Sequence, residues 1–389
     1  MHIIGIMFIS RLLKAKILGN LQSDNNKIII LYGPRQVGKT TLVKEVVKEL
    51  NKKYSYYSCD LPEVALILGS PNINQLTKFV GSDEIIILDE AQRVPNIGLT
   101  LKILYEHFPK VRFVATGSSS FDLSNSIKEP LTGRKLEYLL LPFSWLELHN
   151  SLGLIAMKNQ LDLSLKYGHY PIAFNTNLDN LEKELNLLTS DYLFKDILTF
   201  DKLPNTQNLR KLLVLLAYQI GSEVSIGKIA NMLDIGRVTI EKYLDILERA
   251  FIIFQLPALS KNLYNEITKN KKYYFYDLGV RNSLIRAYDN IEVRADIGGL
   301  WENFCVLERL KYNLYAGLEP NSFFWRTQAQ SEVDYVESYN QLYQGFEFKW
   351  SKKTIRESKI FLNAYPQKIK DGKIELINRW NFEEFLGVW

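Results

Sequence analysis

The chain has 389 residues, of which 47% are apolar and 23% are charged. These proportions are ordinary for globular proteins and exclude collagen-like, disordered and disulfide-scaffold chains, and the length suits about two to four domains. The formal net charge of +5 neither requires nor excludes a nucleic-acid partner. The two cysteines, Cys59 and Cys305, are far apart, which favours a reducing, cytoplasmic compartment.

The first twenty residues mix apolar and basic side chains without the ordered regions of a signal peptide. Uninterrupted apolar runs of about 18 residues, the length that a membrane-spanning helix needs, do not occur. We therefore expect no membrane association.

Strand and helix patterns alternate over the first 150 residues. Short apolar runs predict strands at Lys27–Tyr32, Tyr54–Ser58, Glu84–Leu88, Val111–Thr116 and Leu136–Leu141. Apolar residues at three- and four-residue spacing predict helices at Thr40–Leu50, Leu61–Val80 and Leu99–Phe108. This alternation predicts an α/β domain with a mostly parallel sheet, which we assign to residues 1–150.

Three further segments follow. Residues 151–220 have helical spacing, and residues 221–290 contain two short helices and a turn within Val224–Ala250. Residues 291–389 begin with a predicted helix at Leu300–Tyr312. Strand-like pieces then come at Phe323–Trp325, Val333–Val336 and Gly345–Phe348. We therefore expect a helical linker, a winged helix and a final α/β domain.

The segment Gly33–Thr40 fits the phosphate-loop pattern G-x-x-x-x-G-K-[ST] at every fixed position, between a predicted strand and a predicted helix. Its glycines let backbone amides face phosphates, and the helix terminus adds partial positive charge. We expect Lys39 to neutralise the β- and γ-phosphates of ATP and the Thr40 hydroxyl to hold Mg²⁺. The predicted nucleotide contacts are Gly33, Pro34, Arg35, Gln36, Val37, Gly38, Lys39, Thr40, Thr41 and Thr116. A chance glycine turn is the alternative.

An acidic pair follows the third predicted strand. Asp89 ends a run of four apolar residues, where open α/β sheets bind ligands, so we expect it beside the metal. Glu90 is placed to polarise the attacking water as a general base. Thr116, at the end of the next strand, is either a γ-phosphate sensor or a turn residue. Arg134 is either a solvated residue or a catalytic arginine, acting in its own subunit or across a homo-oligomer interface.

A helix-turn-helix is predicted around the turn Asp234–Gly236, with Ser225 as the N-cap of the first helix. The expected core positions are Ile226, Ile229, Ile240, Leu244 and Leu247. Exposed candidates for DNA contact are Arg237, Thr239 and Lys242. The alternative is a winged helix that packs against its neighbours or binds protein.

Carboxylates and a lysine recur near the C-terminus. Glu302 lies on a predicted helix, Asp334 lies on a predicted strand, and Glu347 and Lys349 share one face of the next strand. Three carboxylates can bind one or two Mg²⁺ ions, and a lysine can position the attacking water. This order is that of the PD-(D/E)XK nuclease core. Surface ion pairs, or a nuclease fold without activity, are the alternatives.

Together these motifs resemble the prokaryotic ATPases that join an AAA domain of the AAA_14 type to a DUF4143 region. The segments that carry the resemblance are Tyr32–Thr41, Leu88–Gln92, Ala115–Ser120, Gly133–Arg134, Leu141–Glu147, Gly168–Pro171, Leu300–Asn303 and Glu332–Tyr335. The resemblance implies an additional-strand (ASCE-type) P-loop core, a helical and winged-helix region, and an α/β restriction-endonuclease-like domain. Two departures are His169, where the family usually has glycine, and the lack of glycine in Gln328–Ser331.

The sequence therefore predicts a Mg²⁺-dependent ATPase whose nucleotide state repositions the winged helix and the C-terminal domain. Two alternatives stay open. One is an ATP-gated DNA-binding protein that never cuts, and the other is an ATP-regulated, metal-dependent DNA endonuclease.

Overall fold

The computed structural model describes residues 9–118, 131–193, 206–260, 271–327, 329, 331–354 and 359–388. Ser119, Ser120 and Gln328, which belong to segments discussed above, lie outside the described residues. Residues Ser10–Phe143 with Arg249–Phe251 form one compact unit, and Ser144–Glu248 with Ile252–Trp389 belong to a second unit. The division of the chain into four domains stays a prediction.

A parallel sheet of five strands forms the first unit. Strands β1 to β5 are Ile28–Tyr32, Tyr54–Ser58, Ile85–Asp89, Arg112–Gly117 and Lys135–Leu139. Their order across the sheet is β2-β3-β4-β1-β5, and each neighbouring pair is parallel. Strand β4 thus lies between β1 and β3, which is the added strand that the resemblance implies. The predicted α/β class with a parallel sheet is confirmed.

Helices connect these strands and supply the rest of this unit's core. Helices α1 to α5 are Leu13–Gln22, Lys39–Leu50, Pro62–Gly69, Ile73–Val80 and Ile97–His107. Helix α2 buries Val43, Val46 and Val47 along one face, and all five residues of β3 are buried. A strand inside a parallel sheet is covered on both faces, which explains the unbroken apolar run before Asp89.

The second unit begins with helices. Helices α6 to α10 are Trp145–Met157, Gln160–Tyr167, Ile172–Asn175, Leu178–Leu187 and Thr206–Tyr218. A capping box starts α6: the Ser144 hydroxyl accepts from the Glu147 N–H at 3.2 Å, and the Glu147 carboxylate accepts from the Ser144 N–H at 2.9 Å. Two amides at the helix start are thereby satisfied, which fixes where the helix begins.

Two helices and a small sheet have the arrangement of a winged helix. Strand β6, helices α11 and α12, and strands β7 and β8 are Glu223–Val224, Ile226–Leu233, Arg237–Arg249, Ile253–Leu256 and Lys271–Phe275. The sheet order is β6-β8-β7, with antiparallel pairs. The side chains of Ile229, Ile240, Leu244 and Leu247 are buried, and that of Ile226 is half-buried.

The predicted Ser225 cap needs a correction. Ser225 occupies the N-cap position of α11, but its side chain accepts no hydrogen bond from the helix amides. Ser225 comes directly out of β6, and its backbone carbonyl closes the first turn by accepting from the Ile229 N–H at 3.1 Å. The stabilisation of about 1 kcal/mol that a serine cap gives is therefore absent from this helix.

The last part combines a long helix with a mixed sheet. Helices α13 to α16 are Leu278–Ile285, Ile297–Ala316, Lys359–Ala364 and Phe382–Phe385, and strands β9 to β12 are Asn321–Arg326, Glu332–Tyr339, Leu342–Phe348 and Ile369–Ile377. The sheet order is β12-β11-β10-β9, with β12 parallel to β11 and the other pairs antiparallel. None of the helices described in this chain has the length and apolar character needed to cross a bilayer.

Candidate nucleotide-binding site and C-terminal carboxylates

The loop between β1 and α2 has backbone angles that suit the binding of an anion. Gly33, Gln36 and Gly38 have φ values of 147°, 61° and 95°. A Cβ added at Gly33 would lie 2.0 Å from the carbonyl oxygen of Leu140, whereas one at Gly38 would meet nothing within 4 Å. Glycine is thus required at 33 by close packing and at 38 by the positive φ. Such turns before a helix make concave sites for phosphate groups.

Lys39 is held by the loop itself. Its Nζ lies 2.9 Å from the carbonyl oxygens of both Gly33 and Pro34, and the residue is only 5% exposed. Neutral carbonyl groups satisfy an ammonium less well than a phosphate oxygen, because charge-assisted bonds are stronger. The ammonium is therefore positioned to exchange these partners for an anion.

The Asp89 carboxylate, at the carboxyl end of β3, accepts hydrogen bonds from three hydroxyl groups. The Thr40 hydroxyl lies 2.9 and 3.1 Å from the two carboxylate oxygens, and the hydroxyls of Tyr56 and Thr116 also donate to this carboxylate. The structure thus brings together Thr40, Asp89 and Thr116 from three separate segments. Carboxylate and hydroxyl oxygens are the hard ligands that Mg²⁺ prefers, so this donor set fits the ion.

Tyr56 enters this group from β2. Burial, the hydrogen bond to Asp89 and the charge of that carboxylate raise the pKa of Tyr56 well above its ordinary value. The phenol therefore stays protonated and remains a hydrogen-bond donor to Asp89 at neutral pH.

Glu90 follows with a left-handed backbone, at φ 53°. Its N–H donates to the Thr116 hydroxyl at 3.2 Å, and its carboxylate accepts from Gln92 Nε2 at 2.5 Å. Gln92 Nε2 also donates to the Ser118 hydroxyl at 3.0 Å, while the buried Gln92 Oε1 has no hydrogen-bond partner among the described residues. A carboxylate and an amide oxygen thus lie close together, and both can accept a hydrogen bond from a water molecule.

Arg134 lies at the opposite edge of the sheet. It precedes β5, and its carbonyl accepts from the Ile28 N–H at 2.9 Å, at the amino end of β1. The phosphate loop starts at the other end of β1, about 16 Å away at 3.3 Å per residue. The Arg134 guanidinium instead pairs with Glu106 at 3.2 Å. The structure thus places Arg134 away from the phosphate loop of its own chain, and its catalytic role, in its own subunit or across a subunit interface, stays a prediction.

The three candidate DNA contacts lie on helix α12. Arg237 and Lys242 are exposed, and Thr239 is half-buried. The Arg237 guanidinium lies against Gly227, because a Cβ added there would be 3.0 Å from Nη2. Exposed Glu241 and Asp245 follow on the same helix, so this surface carries both signs of charge. DNA contact here stays a prediction.

A buried lysine lies among the C-terminal carboxylates. Lys272, on β8, has its Nζ 2.8 Å from Glu302 Oε1 and 2.6 Å from Glu332 Oε1, and it is 1% exposed. The Tyr274 hydroxyl donates to the same Glu302 oxygen at 2.7 Å. One carboxylate oxygen of Glu302 is therefore occupied by both an ammonium group and a phenol.

The other candidate residues of this region are paired separately. Asp334 accepts from the Lys349 ammonium at 2.9 Å and from the Phe348 N–H at 2.8 Å. Glu347 lies 3.8 Å from Lys349. In the part of the chain that the structure describes, no three His, Cys, Asp or Glu side chains are grouped to hold a metal ion. Glu302, Asp334, Glu347 and Lys349 nevertheless lie within electrostatic range of one another, and joint Mg²⁺ binding by the three carboxylates stays a prediction.

The electrostatics of this cluster follow from its burial. Burial raises the pKa of Glu302 to about 7; Lys272 opposes this shift and Asp334 adds to it. Burial lowers the pKa of Lys272, but Glu302, Glu332 and Asp334 together raise it by more, to above its ordinary value. Lys272 therefore keeps its charge inside the protein.

Four further residues contact these sites and were not predicted from the sequence. Tyr56 and Lys272 lie in strands without a motif, whereas Gln92 lies in a segment that carries the family resemblance and could have been found there. The fourth is Arg11, which is 7% exposed, donates to the Val37 carbonyl in the phosphate loop and lies 4.1 Å from the centre of the Phe143 ring.

Comparisons with known families cover most of the chain. AAA_14, an AAA domain, matches residues 25–149. Two domains of unknown function, DUF8612 and DUF4143, match residues 158–290 and 297–381. An uncharacterized protein of Mycobacterium tuberculosis is 30% identical over 332 residues, which cover 83% of this chain and 70% of that protein. One of Haemophilus influenzae is 25% identical over 336 residues, covering 81% and 82%.

Solved structures give weaker likenesses. The RuvB Holliday junction branch migration motor of Thermotoga maritima is 20% identical, covers 64% of this chain and 91% of its own, and has a TM-score of 0.33. A chain from Drosophila ORC bound to AT-rich DNA and Cdc6 is 12% identical, with 71% and 91% coverage and a TM-score of 0.26. These scores are too low to support a conclusion. The AAA_14 and DUF4143 matches and the mycobacterial relative are sufficient, and this chain belongs to the prokaryotic AAA_14/DUF4143 family.

Proposed function

We propose that the first unit binds ATP together with Mg²⁺ and hydrolyses it. The observation that carries this proposal is the meeting of the phosphate loop, the Thr40–Asp89 pair and Glu90 at one edge of the sheet. The AAA domain match supports nucleotide binding.

Binding begins with Lys39 and the loop amides. The Lys39 ammonium leaves the carbonyls of Gly33 and Pro34 and bonds to phosphate oxygens. Thr40 and Asp89 would hold Mg²⁺, and Tyr56 and Thr116 orient the Asp89 carboxylate by donating to it. When bound, Mg²⁺ supplies positive charge that offsets the charge developing on the phosphates.

Glu90 then acts on the attacking water. Its carboxylate accepts a proton from the water, and the Gln92 amide holds that carboxylate in place. The Gln92 Oε1 accepts the second hydrogen of the same water, which satisfies an otherwise orphaned buried acceptor. General-base assistance of this kind is worth about 10²–10⁴-fold in rate.

We assign the second unit a responder role, by which we mean that it changes its activity according to the nucleotide bound by the first unit. Nucleotide state acts as a switch on a winged helix that contacts DNA and on a nuclease-like fold that does not cut it. The Lys272 ammonium among the C-terminal carboxylates favours this assignment over the metal-dependent endonuclease.

The test is ATP binding and hydrolysis by the purified full chain. Lys39→Ala should lose both, because the phosphates lose their cation. Glu90→Gln should bind ATP as the parent does but hydrolyse it about 10²–10⁴-fold more slowly. Lys48→Ala removes an exposed lysine from the last turn of the same helix and is the matched control, expected to behave as the parent.

A parent protein that fails to bind millimolar ATP would refute the ATPase. A cleavage gel run in parallel tests the responder role: plasmid nicking with Mg²⁺ or Mn²⁺ that is lost in Asp334→Ala and Lys349→Ala would establish the endonuclease instead.

A further inference from the structure

A basic and aromatic surface lies just after strands β11 and β12. We call it the Trp380 surface and define it as Lys352, Lys353, Arg379 and Trp380. The Trp380 side chain is 54% exposed. The Arg379 guanidinium lies 4.8 Å from the centre of its ring, and the Lys353 ammonium lies 5.6 Å from it. An exposed indole flanked by two cations offers an aromatic ring and positive charge at one place.

This surface is rigidly attached to the core of the second unit. The Arg379 guanidinium also lies 5.3 Å from the ring of Trp350, which packs edge-on against the fully buried Trp301 at 5.3 Å. The contacts Trp301–Trp350–Arg379–Trp380 therefore form a continuous series from the interior to the surface. This packing orders Trp380 before a partner binds, which lowers the entropic cost of binding.

Backbone contacts brace the two loops against each other. The buried Asn378 donates from Nδ2 to the Lys352 carbonyl at 3.0 Å, and its Oδ1 accepts from the Trp380 N–H at 2.9 Å. The Asn378 N–H donates to Asn381 Oδ1 at 2.7 Å. These bonds hold the turn in the shape that presents Trp380 to solvent.

The charge of the surface is positive. Lys352, Lys353 and Arg379 are exposed, and within the described residues none of them forms an ion pair. The neighbouring Lys349 is paired with Asp334 at 2.9 Å, and Glu347 lies 3.8 Å from the same lysine and within electrostatic range of Lys352. The three cations are thus available to a polyanion.

We infer that the Trp380 surface binds single-stranded nucleic acid, with a base stacked on Trp380 and phosphates on Lys352, Lys353 and Arg379. Stacking on an aromatic ring beside a row of cations is how proteins hold unpaired strands without reading sequence. An acidic peptide would satisfy the cations but would leave the indole face without a planar partner. The inference deepens the proposed responder role, because it gives the second unit a nucleic-acid contact outside helix α12.

The test is fluorescence anisotropy of a labelled oligothymidylate of about 20 nucleotides, titrated with the full chain. Trp380→Ala should weaken binding about tenfold or more, and Trp380→Phe should retain most of the affinity because a ring remains. Lys352→Glu with Lys353→Glu should weaken binding and reduce the slope of log Kd against log salt by about 1.4. Lys370→Glu, an exposed lysine near the far end of β12, is the matched control.

Unchanged affinity in both Trp380→Ala and the double lysine variant would overturn the inference, as would equal displacement of the oligonucleotide by polyglutamate. Loss of binding confined to Arg237→Glu with Lys242→Glu would assign the contact to α12 instead. Thermal midpoints of the variants show whether each one is folded. If Trp380→Ala is destabilised, the affinity of Trp380→Phe, which keeps a ring, is the measurement that tests stacking. ATP hydrolysis measured without oligonucleotide should be the same in all these variants, so failure of the ATPase is seen separately.

Discussion

Glu90, the proposed general base, is held by a neighbour two residues along the chain. The Gln92 amide donates to Glu90 and to Ser118, and so ties the acidic residue of one strand end to the end of the next strand. Without this bond the half-buried Glu90 carboxylate would sample several rotamers. Ordering it beforehand reduces the cost of reaching the reactive arrangement.

We expect Gln92→Ala to lower kcat for ATP hydrolysis by about ten- to a hundredfold while the Kd for ATP changes little. The variant leaves Lys39 and Asp89 in place and removes only the group that orients Glu90. Steady-state kinetics with a separate nucleotide titration measure the two effects. Gln75→Ala, which removes an exposed glutamine from α4, is the control. An unchanged kcat, or a Kd that worsens as much as kcat falls, would contradict this role.

Strand β8 is joined to helix α14 and strand β10 by one ammonium group. Lys272 reaches Glu302 on the helix and Glu332 on the strand, and its ammonium lies 5.4 Å from the centre of the Phe324 ring. Breaking a buried ion pair by removing one partner leaves an uncompensated charge. Lys272 is thus one of several side chains that connect these elements: the Tyr274 hydroxyl also donates to Glu302, and the Asn303 side chain bonds to the Phe275 backbone.

Lys272→Met should lower the free energy of unfolding by about 3–5 kcal/mol, because the buried Glu302 loses its counter-charge and Glu332 keeps only the Arg326 guanidinium at 3.8 Å. The adjacent Lys271→Met should change it by less than about 0.5 kcal/mol, since Lys271 contacts Gln255 at an exposed position. Urea unfolding followed by circular dichroism compares the two. Adding Glu302→Gln and Glu332→Gln to Lys272→Met should restore much of the loss, and similar midpoints for the two single lysine variants would disprove the effect.

A buried network around Glu308 is one source of acid sensitivity in this protein. This carboxylate accepts from the Trp145 N–H at 2.6 Å and pairs with Lys311 at 2.7 Å and His169 at 3.2 Å. Burial raises the pKa of Glu308, but Lys311 and His169 lower it by more, to about 2. His169, the departure from the family's glycine, thus has a defined role in the core.

A carboxyl group whose pKa is lowered by folding stabilises the protein above its unfolded pKa of about 4.5, and the stabilisation is lost as the pH falls toward 2. Glu308→Gln should therefore have a lower thermal midpoint than the parent at pH 7. The difference should shrink at pH 3, because the parent loses part of its advantage there. Calorimetry at the two pH values tests this, and a difference of equal size at both would contradict the assignment.

The sequence predicted the elements that depend on local pattern. Strand Tyr54–Ser58 has the predicted limits, and the phosphate loop and Asp89 could be recognised because a glycine loop and an apolar run mark them. The role of Lys272 could not be recognised from the sequence, because its partners Glu302 and Glu332 are 30 and 60 residues away and the pairing depends on tertiary packing. Arg134 directly precedes β5, and in a parallel sheet that position lies at the edge opposite the phosphate loop.

The close contact at Gly33 affects how an alanine survey of the loop should be interpreted. The Leu140 oxygen leaves no space for a methyl group there, so a bulkier residue would push apart the ends of two adjoining strands even in the absence of nucleotide. Lost turnover in such a variant would report damaged architecture. Position 38 is spacious, and only its torsion is unfavourable for alanine. Alanine substitutions at Gly33 and Gly38 would thus impair the protein for different reasons, a steric clash at the first and an unfavourable backbone torsion at the second.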